Sequence, residues 1–311
     1  MRTLWRNKLV AIAAGFLVVL VIAAVGSLIW SPFDPYTPNV AMRNQPPMTA
    51  SDGPIPHLLG TDPLGRDLLV RLLQGARISL GIGLLSVLVS GTFGFLLGLV
   101  AGYFRGWVDD LIMRLVDLQM SVPSLLIALL VLYVLGPSIL NVVLVLAITR
   151  WMVYARVTRG LMLSLRGELF IEAAQSLGAS HLRTIFRHMV PNLLAPVLVL
   201  ATLEMAVMLL TEASLSFLGL GIQPPQSSWG LMLAQGREYL TSAWWLVTFP
   251  GLAILLTTLS INLIATWLRA RSSDTSRDSL GSGVIEPPAR VADGAPASAL
   301  TDGPNIGKAP A

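Results

Sequence analysis

The sequence predicts an all-α protein that crosses a lipid bilayer six times and keeps both termini in the cytoplasm. Three observations carry this. The chain is 54% hydrophobic and only 12% charged, where soluble domains carry about 25% charged residues. Uncharged runs at 9–30, 78–104, 118–149 and 240–268 each reach the roughly 20 residues a span needs. Lys and Arg cluster at the N-terminus, after the second run, between 150 and 187, and in the tail, whereas the opposite side holds Arg43, Arg66, Arg71, Arg77 and Arg237. That asymmetry sets the orientation.

The first run follows Arg2, Arg6 and Lys8 and is too long for a signal-peptide core, so residues 1–30 are expected to form a basic segment and a retained anchor. Residues 31–77 are Pro-rich and form an outer segment. Its end reads as a surface helix over 63–74, with Asp62 as N-cap, Pro63 at N1 and Leu64, Leu68, Leu69, Leu72 and Leu73 on one side. The second span carries Gly94, Gly98 and Gly102, a doubled small-xxx-small pattern that lets helix backbones approach closely. Asp109, Asp110, Arg114 and Asp117 read as a solvated link with local ion pairs. Pro123 then starts or kinks the third span. Gly136-Pro137-Ser138 divides the run 118–149 into the third span and the start of the fourth. The fifth span, 193–217, is interrupted by Glu204 and Glu212. The sixth carries Pro250-Gly251 and ends at Trp267 with Arg269 and Arg271. The five-helix core thus covers 78–269. Residues 270–311 are poor in large apolar side chains and are expected to be disordered.

A polar island between the fourth and fifth spans, residues 166–192, stands apart. Phe170, Ala173, Ala174 and Leu177 fall at i, i+3, i+4, i+7, and Leu182, Ile185, Phe186 and Met189 repeat that spacing. Gly178 between them supplies a left-handed residue for a tight turn. Ser180 caps the second helix, and Pro191 is expected to end it. Two short amphipathic helices outside the membrane must bury their apolar faces, either in lipid headgroups or in a groove of a partner protein. Periodicity does not separate the two.

Two carboxylates and one guanidinium lie inside spans. Arg150 sits about 17 Å along the fourth helix and Glu204 about 16 Å along the fifth, at 1.5 Å per residue. Similar depths, and the cost of lone intramembrane charge, point to an Arg150–Glu204 pair, against simple snorkelling of Arg150. Glu212 is expected to pair with Arg71 or Arg77, to meet a helix N-terminus, or to line a pathway.

Several chemistries are excluded. No phosphate-binding loop precedes a Lys-Ser/Thr pair, so the chain holds no ATP of its own. His57, His181 and His188 are isolated and Cys is absent, which leaves no metal-ligand spacing and no disulfide. Topology accounts for the basic balance, so nucleic acid needs no place.

Glu172-Ala173-Ala174, then Gly178, then Val190-Pro191, resembles the EAA loop of ABC importer permeases. Gly60-Thr61-Asp62-Pro63-Leu64-Gly65-Arg66-Asp67, Gly75-Ala76-Arg77-Ile78-Ser79 and Ser216-Phe217-Leu218-Gly219-Leu220-Gly221, with Pro224-Pro225 and Trp229-Gly230, resemble the dipeptide/oligopeptide/nickel subfamily, and the long outer segment its second, C-type subunit. Ser227 stands where that subfamily often has Pro. The likeness runs from 60 to 269. It implies the type I ABC importer permease (MetI-like) fold in a bacterial inner membrane and a role as permease subunit for di- or oligopeptides, although glutathione and nickel permeases share the motifs. It further implies a homologous second permease, two ATPase subunits that carry ATP and Mg, and an extracytoplasmic solute-binding protein. Phe170, Glu172, Ala173, Ala174, Leu177, Gly178, Leu182, Phe186 and Pro191 would then couple to the ATPase. The rival reading is a gradient-driven secondary transporter using Arg150, Glu204 and Glu212.

Overall fold

The computed structural model describes residues 7–29, 31–51 and 55–281, with side chains described through residue 271. Arg2, Arg6, Trp30 and the tail beyond 281 lie outside the described residues. The chain divides into a unit ending at Ser272 and a second beginning at Ser273. All regular structure among the described residues is helical, apart from isolated bridges in the segment before α2.

Five helices are long and apolar enough to cross a membrane: α1 (Lys8–Gly26), α2 (Leu68–Phe104), α5 (Ile139–Arg166), α7 (His181–Phe217) and the apolar part of α9 (Trp245–Gly281). A sixth crossing would come from α3 (Gly106–Met120) and α4 (Ser124–Leu135), which meet at 85°. The break sits at Pro123, which lacks an N–H and pushes the residue before it out of helical geometry. α4 alone is about 18 Å long at 1.5 Å per residue. Shorter helices complete the set: α6 (Leu169–Ser176) and α8 (Trp229–Gly236).

Two expectations for this part of the chain are corrected. No separate surface helix forms over 63–74; α2 begins at Leu68 and runs unbroken to Phe104. Gly65 adopts φ +76°, which stops a helix from passing through it. Asp62 spends its Oδ1 on the turn, accepting from the Leu64 and Arg66 amides at 2.8 and 2.9 Å. Asp67 is the actual cap, accepting from the Val70 amide at 2.9 Å. The link holding Asp109 and Asp117 also does not pair these acids locally. It is α3, and its acids pair across a long stretch of sequence with α5: Asp109 with Arg159 and Asp117 with Arg156.

α2 and α5 form the central pair. A Cβ added at Gly98 would come 2.6 Å from both the Ala155 carbonyl oxygen and Thr158 Cβ, and Gly94 and Gly102 face Trp151, Tyr154, Arg159 and Met162 in the same way. The glycine row is therefore a helix-packing seam, not a pathway lining. On the side of it away from Arg166, Leu132, Leu146, Met208 and Leu215, all fully buried, form an apolar layer among α4, α5 and α7. α1 buries Val10, Ala13 and Ala24 and leaves Leu9, Ile12, Val19 and Ile22 exposed, a pattern suited to lipid.

The disorder expected over 270–311 does not begin at 270, and residues 282–311 lie outside the described residues. α9 remains helical through Gly281, since each residue added to an existing helix gains a hydrogen bond without a new nucleus.

Candidate functional site

The hairpin forms where α5 ends. α6 closes in a left-handed C-terminal motif: Gly178 sits at φ +86°, its amide donates to the Gln175 carbonyl at 2.9 Å, and the Ala179 amide donates to the Ala174 carbonyl at 3.1 Å. This is the paired closure that a glycine just past a helix end permits. Ser180 then accepts from the Arg183 amide at 3.4 Å and opens α7.

Pro191 does not end the second helix. Residues Thr184–Met189 widen into a π-turn, after which α7 continues through Pro191 to Phe217. A π-turn changes the hydrogen-bond register, which lets a helix pass a residue with no N–H to donate. The hairpin's second arm is therefore the start of the fifth span itself, and a displacement of the arm is a displacement of that span.

The apolar residues sort differently from their spacing. Ile171, Ile185, Met189 and Leu193 are buried against Leu99, Tyr103 and Met162. Ile185 and Met189 thus leave the face expected for them with Leu182 and Phe186. What remains outside is a set of large apolar side chains: Leu177 is 89% exposed, Leu182 68%, Phe186 61% and Phe170 46%. Ala173 is exposed with them and Ala174 half-buried. Glu172 is exposed in the first turn of α6, where a negative charge suits the helix dipole.

A polar clamp that spacing did not reveal roots this hairpin. The Tyr103 hydroxyl meets His181 Nδ1 at 2.7 Å, and the Tyr103 carbonyl accepts from Arg166 at 2.6 Å. The Arg166 guanidinium also lies 5.7 Å from the Tyr103 ring centroid. One residue at the end of α2 thus holds the chain both before and after the turn.

Inside the spans, Arg150 and Glu204 are brought together: Nε donates to Oε2 and the terminal nitrogen to Oε1, each at 2.7 Å. Glu212 meets neither Arg71 nor Arg77. It is fully buried and accepts from Ser79 at 3.0 Å and Ser216 at 2.7 Å, while Ser79 accepts from the Trp229 amide in the first turn of α8 at 3.3 Å. Arg71 instead joins Asp62, Gln235 and Ser227. With Arg66 on Asp62 at 2.7 Å and His57 on Asp67 at 2.8 Å, these residues make a buried ionic cluster at the end of the bundle far from the hairpin. The i,i+4 spacing of Asp62 and Arg66 was its one visible signal.

Comparison with known proteins agrees with this architecture. Residues 94–274 match the family described as binding-protein-dependent transport system inner membrane component, and residues 1–47 match the N-terminal TM domain of oligopeptide transport permease C. The chain is 43% identical over 254 residues to the di/tripeptide transport system permease protein DppC of Pseudomonas aeruginosa, covering 82% of this chain and 84% of that one. It is 41% identical over 273 residues to the glutathione transport system permease protein GsiD of Pectobacterium atrosepticum, covering 86% and 89%. Its fold is shared with a chain of an amino acid ABC transporter crystallised with histidines, at a TM-score of 0.51 and 18% identity, over 65% of this chain and 94% of that one. The protein belongs to the family of binding-protein-dependent transport system inner membrane components, and is a multi-pass inner-membrane permease subunit of an ABC importer.

Proposed function

We propose that this permease carries di- or oligopeptides and is driven through its hairpin by separate ATPase subunits. The observation that carries the reading is the state of the hairpin. Its inner side is filled by Ile171, Ile185 and Met189 and clamped by Tyr103, yet Phe170, Leu177, Leu182 and Phe186 stay exposed on the side that this packing leaves free. A flat headgroup anchor has no need of such a root. An anchored apolar knob fits a groove in a partner, in the helix-in-groove manner. Phe170, Glu172, Ala173, Ala174, Leu177, Gly178, Leu182 and Phe186 form the knob, and Pro191 marks where it joins the fifth span.

The remaining parts follow from that role. ATP and Mg belong to two partner ATPases, a homologous permease supplies the other half of the pathway, and a solute-binding protein delivers cargo from outside. Both termini lie in the cytoplasm, in line with Arg156, Arg159, Arg166, Arg183 and Arg187 gathered at the hairpin end. Residues 1–30 serve as anchor, 31–77 as outer segment and 78–269 as translocating core. The peptide substrate is supported by the names of the relatives, among them a di/tripeptide and a glutathione permease.

Leu182→Asp with Phe186→Asp tests the reading. The variant permease is expected to insert and purify normally but to lose its ATPase subunits, and uptake of labelled dipeptide into proteoliposomes should stop. Continued co-purification with ATP-driven uptake would refute it. Uptake that persists without ATP but with a proton gradient would return the gradient-driven reading.

A further inference from the structure

The Arg150–Glu204 pair lies at an edge. Leu146 and Met208, one helical turn away on α5 and α7, belong to the apolar layer with Leu132 and Leu215. The pair itself falls just outside that layer, at the level of the α3–α4 break, where Gln119 donates to the Ile148 carbonyl. Arg150 keeps 22% of its side chain exposed, against 6% for Glu204. A buried ion pair gives a fold little that apolar side chains of equal volume would not, so a pair that leaves the Arg150 guanidinium partly exposed calls for another use.

A second, independent feature lies one helical turn away. Tyr154, one turn along α5 from Arg150, is fully buried, yet its hydroxyl has no hydrogen-bond partner among the described residues. Four residues on from Arg150, it shares that residue's face of α5. Ser90 on α2 donates its own hydroxyl to the Ser86 and Val87 carbonyls. A buried orphan hydroxyl is costly, and it becomes useful once a neighbouring carboxylate oxygen is released.

We propose that Arg150, Glu204 and Tyr154 form an intramembrane station for the two charged ends of a short zwitterionic peptide. The proposal rests on the peptide-permease reading and names the groups that receive the cargo. The peptide carboxylate takes the Arg150 fork, the peptide ammonium takes Glu204, and the Tyr154 hydroxyl donates to the carboxylate oxygen set free. Each charge exchanges one opposite partner for another, so no stage leaves an uncompensated charge in low dielectric. A ligand of one sign would strand either Arg150 or Glu204, which selects for free termini. The Arg150–Glu204 contact is the closed form of the station, in which each charge satisfies the other.

Equilibrium dialysis of the assembled transporter, without its binding protein, tests this with labelled dialanine and N-acetyl-dialanine amide as the neutral control. Wild type should retain dialanine and not the blocked peptide. Replacing the pair by Arg150→Met with Glu204→Met should weaken retention by on the order of tenfold or more. Tyr154→Phe keeps the test readable if the double variant fails to assemble: it removes one unpartnered oxygen, so assembly should hold while dialanine retention and ATP-driven uptake fall several-fold. Absence of dialanine binding to wild type, equal binding of the blocked peptide, or unchanged binding and uptake in Tyr154→Phe would each overturn the proposal. If wild type takes up dialanine with ATP while the variants lose nothing, this station alone fails. If wild type takes up no peptide, the parent reading fails.

Discussion

Arg150 and Glu204, 54 residues apart in sequence, meet across α5 and α7 through two hydrogen bonds of 2.7 Å. Breaking such a pair from one side leaves the other charge without a partner in a poorly solvated place. Arg150→Ala or Glu204→Ala should each lower stability by up to about 3 kcal/mol, and the swap Arg150→Glu with Glu204→Arg should recover most of it. Thermal unfolding of the purified permease in detergent measures this. A swap no better than the single variants would contradict the pairing as a source of stability.

Helix approach along the α2–α5 seam gives a sharper contrast between two glycines of one helix. At Gly98 a new Cβ would press on the Ala155 carbonyl and Thr158 at 2.6 Å, whereas at Gly81 nothing lies within 4 Å. Gly98→Ala should cost about 1–3 kcal/mol through overpacking. Gly81→Ala should be neutral or slightly stabilising, because alanine favours the helix by about 1 kcal/mol. Equal unfolding temperatures for the two variants would count against the seam.

Tyr103 holds both feet of the hairpin, and its two contributions separate by substitution. Tyr103→Phe removes only the bond to His181, worth about 1 kcal/mol. Tyr103→Ala also withdraws the ring from Ile171, Ile185 and Met189, at about 3–5 kcal/mol. Limited trypsin cleavage at Arg166, Arg183 and Arg187 reports the result as local opening. Faster cleavage is expected in the order Ala, Phe, wild type, and identical rates would remove the clamp.

Gly178 acts through backbone conformation. With φ at +86° and nothing within 4 Å of the place a Cβ would occupy, a substitution there suffers strain and no clash. Asn tolerates that region far better than a β-branched residue. Gly178→Val should therefore insert normally and lose ATPase association, while Gly178→Asn should retain most of it. Full ATPase co-purification by Gly178→Val would show that the turn does not set the docking geometry.

Some of this was legible in one dimension because it depends on local chemistry. Uncharged runs reveal spans since lipid cannot solvate charge. The glycine at 178 reveals its turn because few other residues adopt that φ. The depths of Arg150 and Glu204 could be matched by counting residues, since a helix advances evenly. Helix boundaries proved harder. Asp62-Pro63 and Asp67 are both plausible caps, and the choice fell to Asp67 because Arg66 and Arg71 draw Asp62 into a buried cluster assembled from distant segments.

What the sequence by itself determined was the class: apolar helices crossing a bilayer, interrupted by a polar hairpin with a glycine turn. The tertiary structure alone decided which hairpin residues face inward and which remain free. Leu182, Ile185, Phe186 and Met189 share one helical stripe by spacing, yet a π-turn rotates the register and the ends of α2 and α5 take only Ile185 and Met189. Periodicity records that a side chain is apolar. Only the packed neighbours determine whether its apolar surface is already buried or still exposed for a partner.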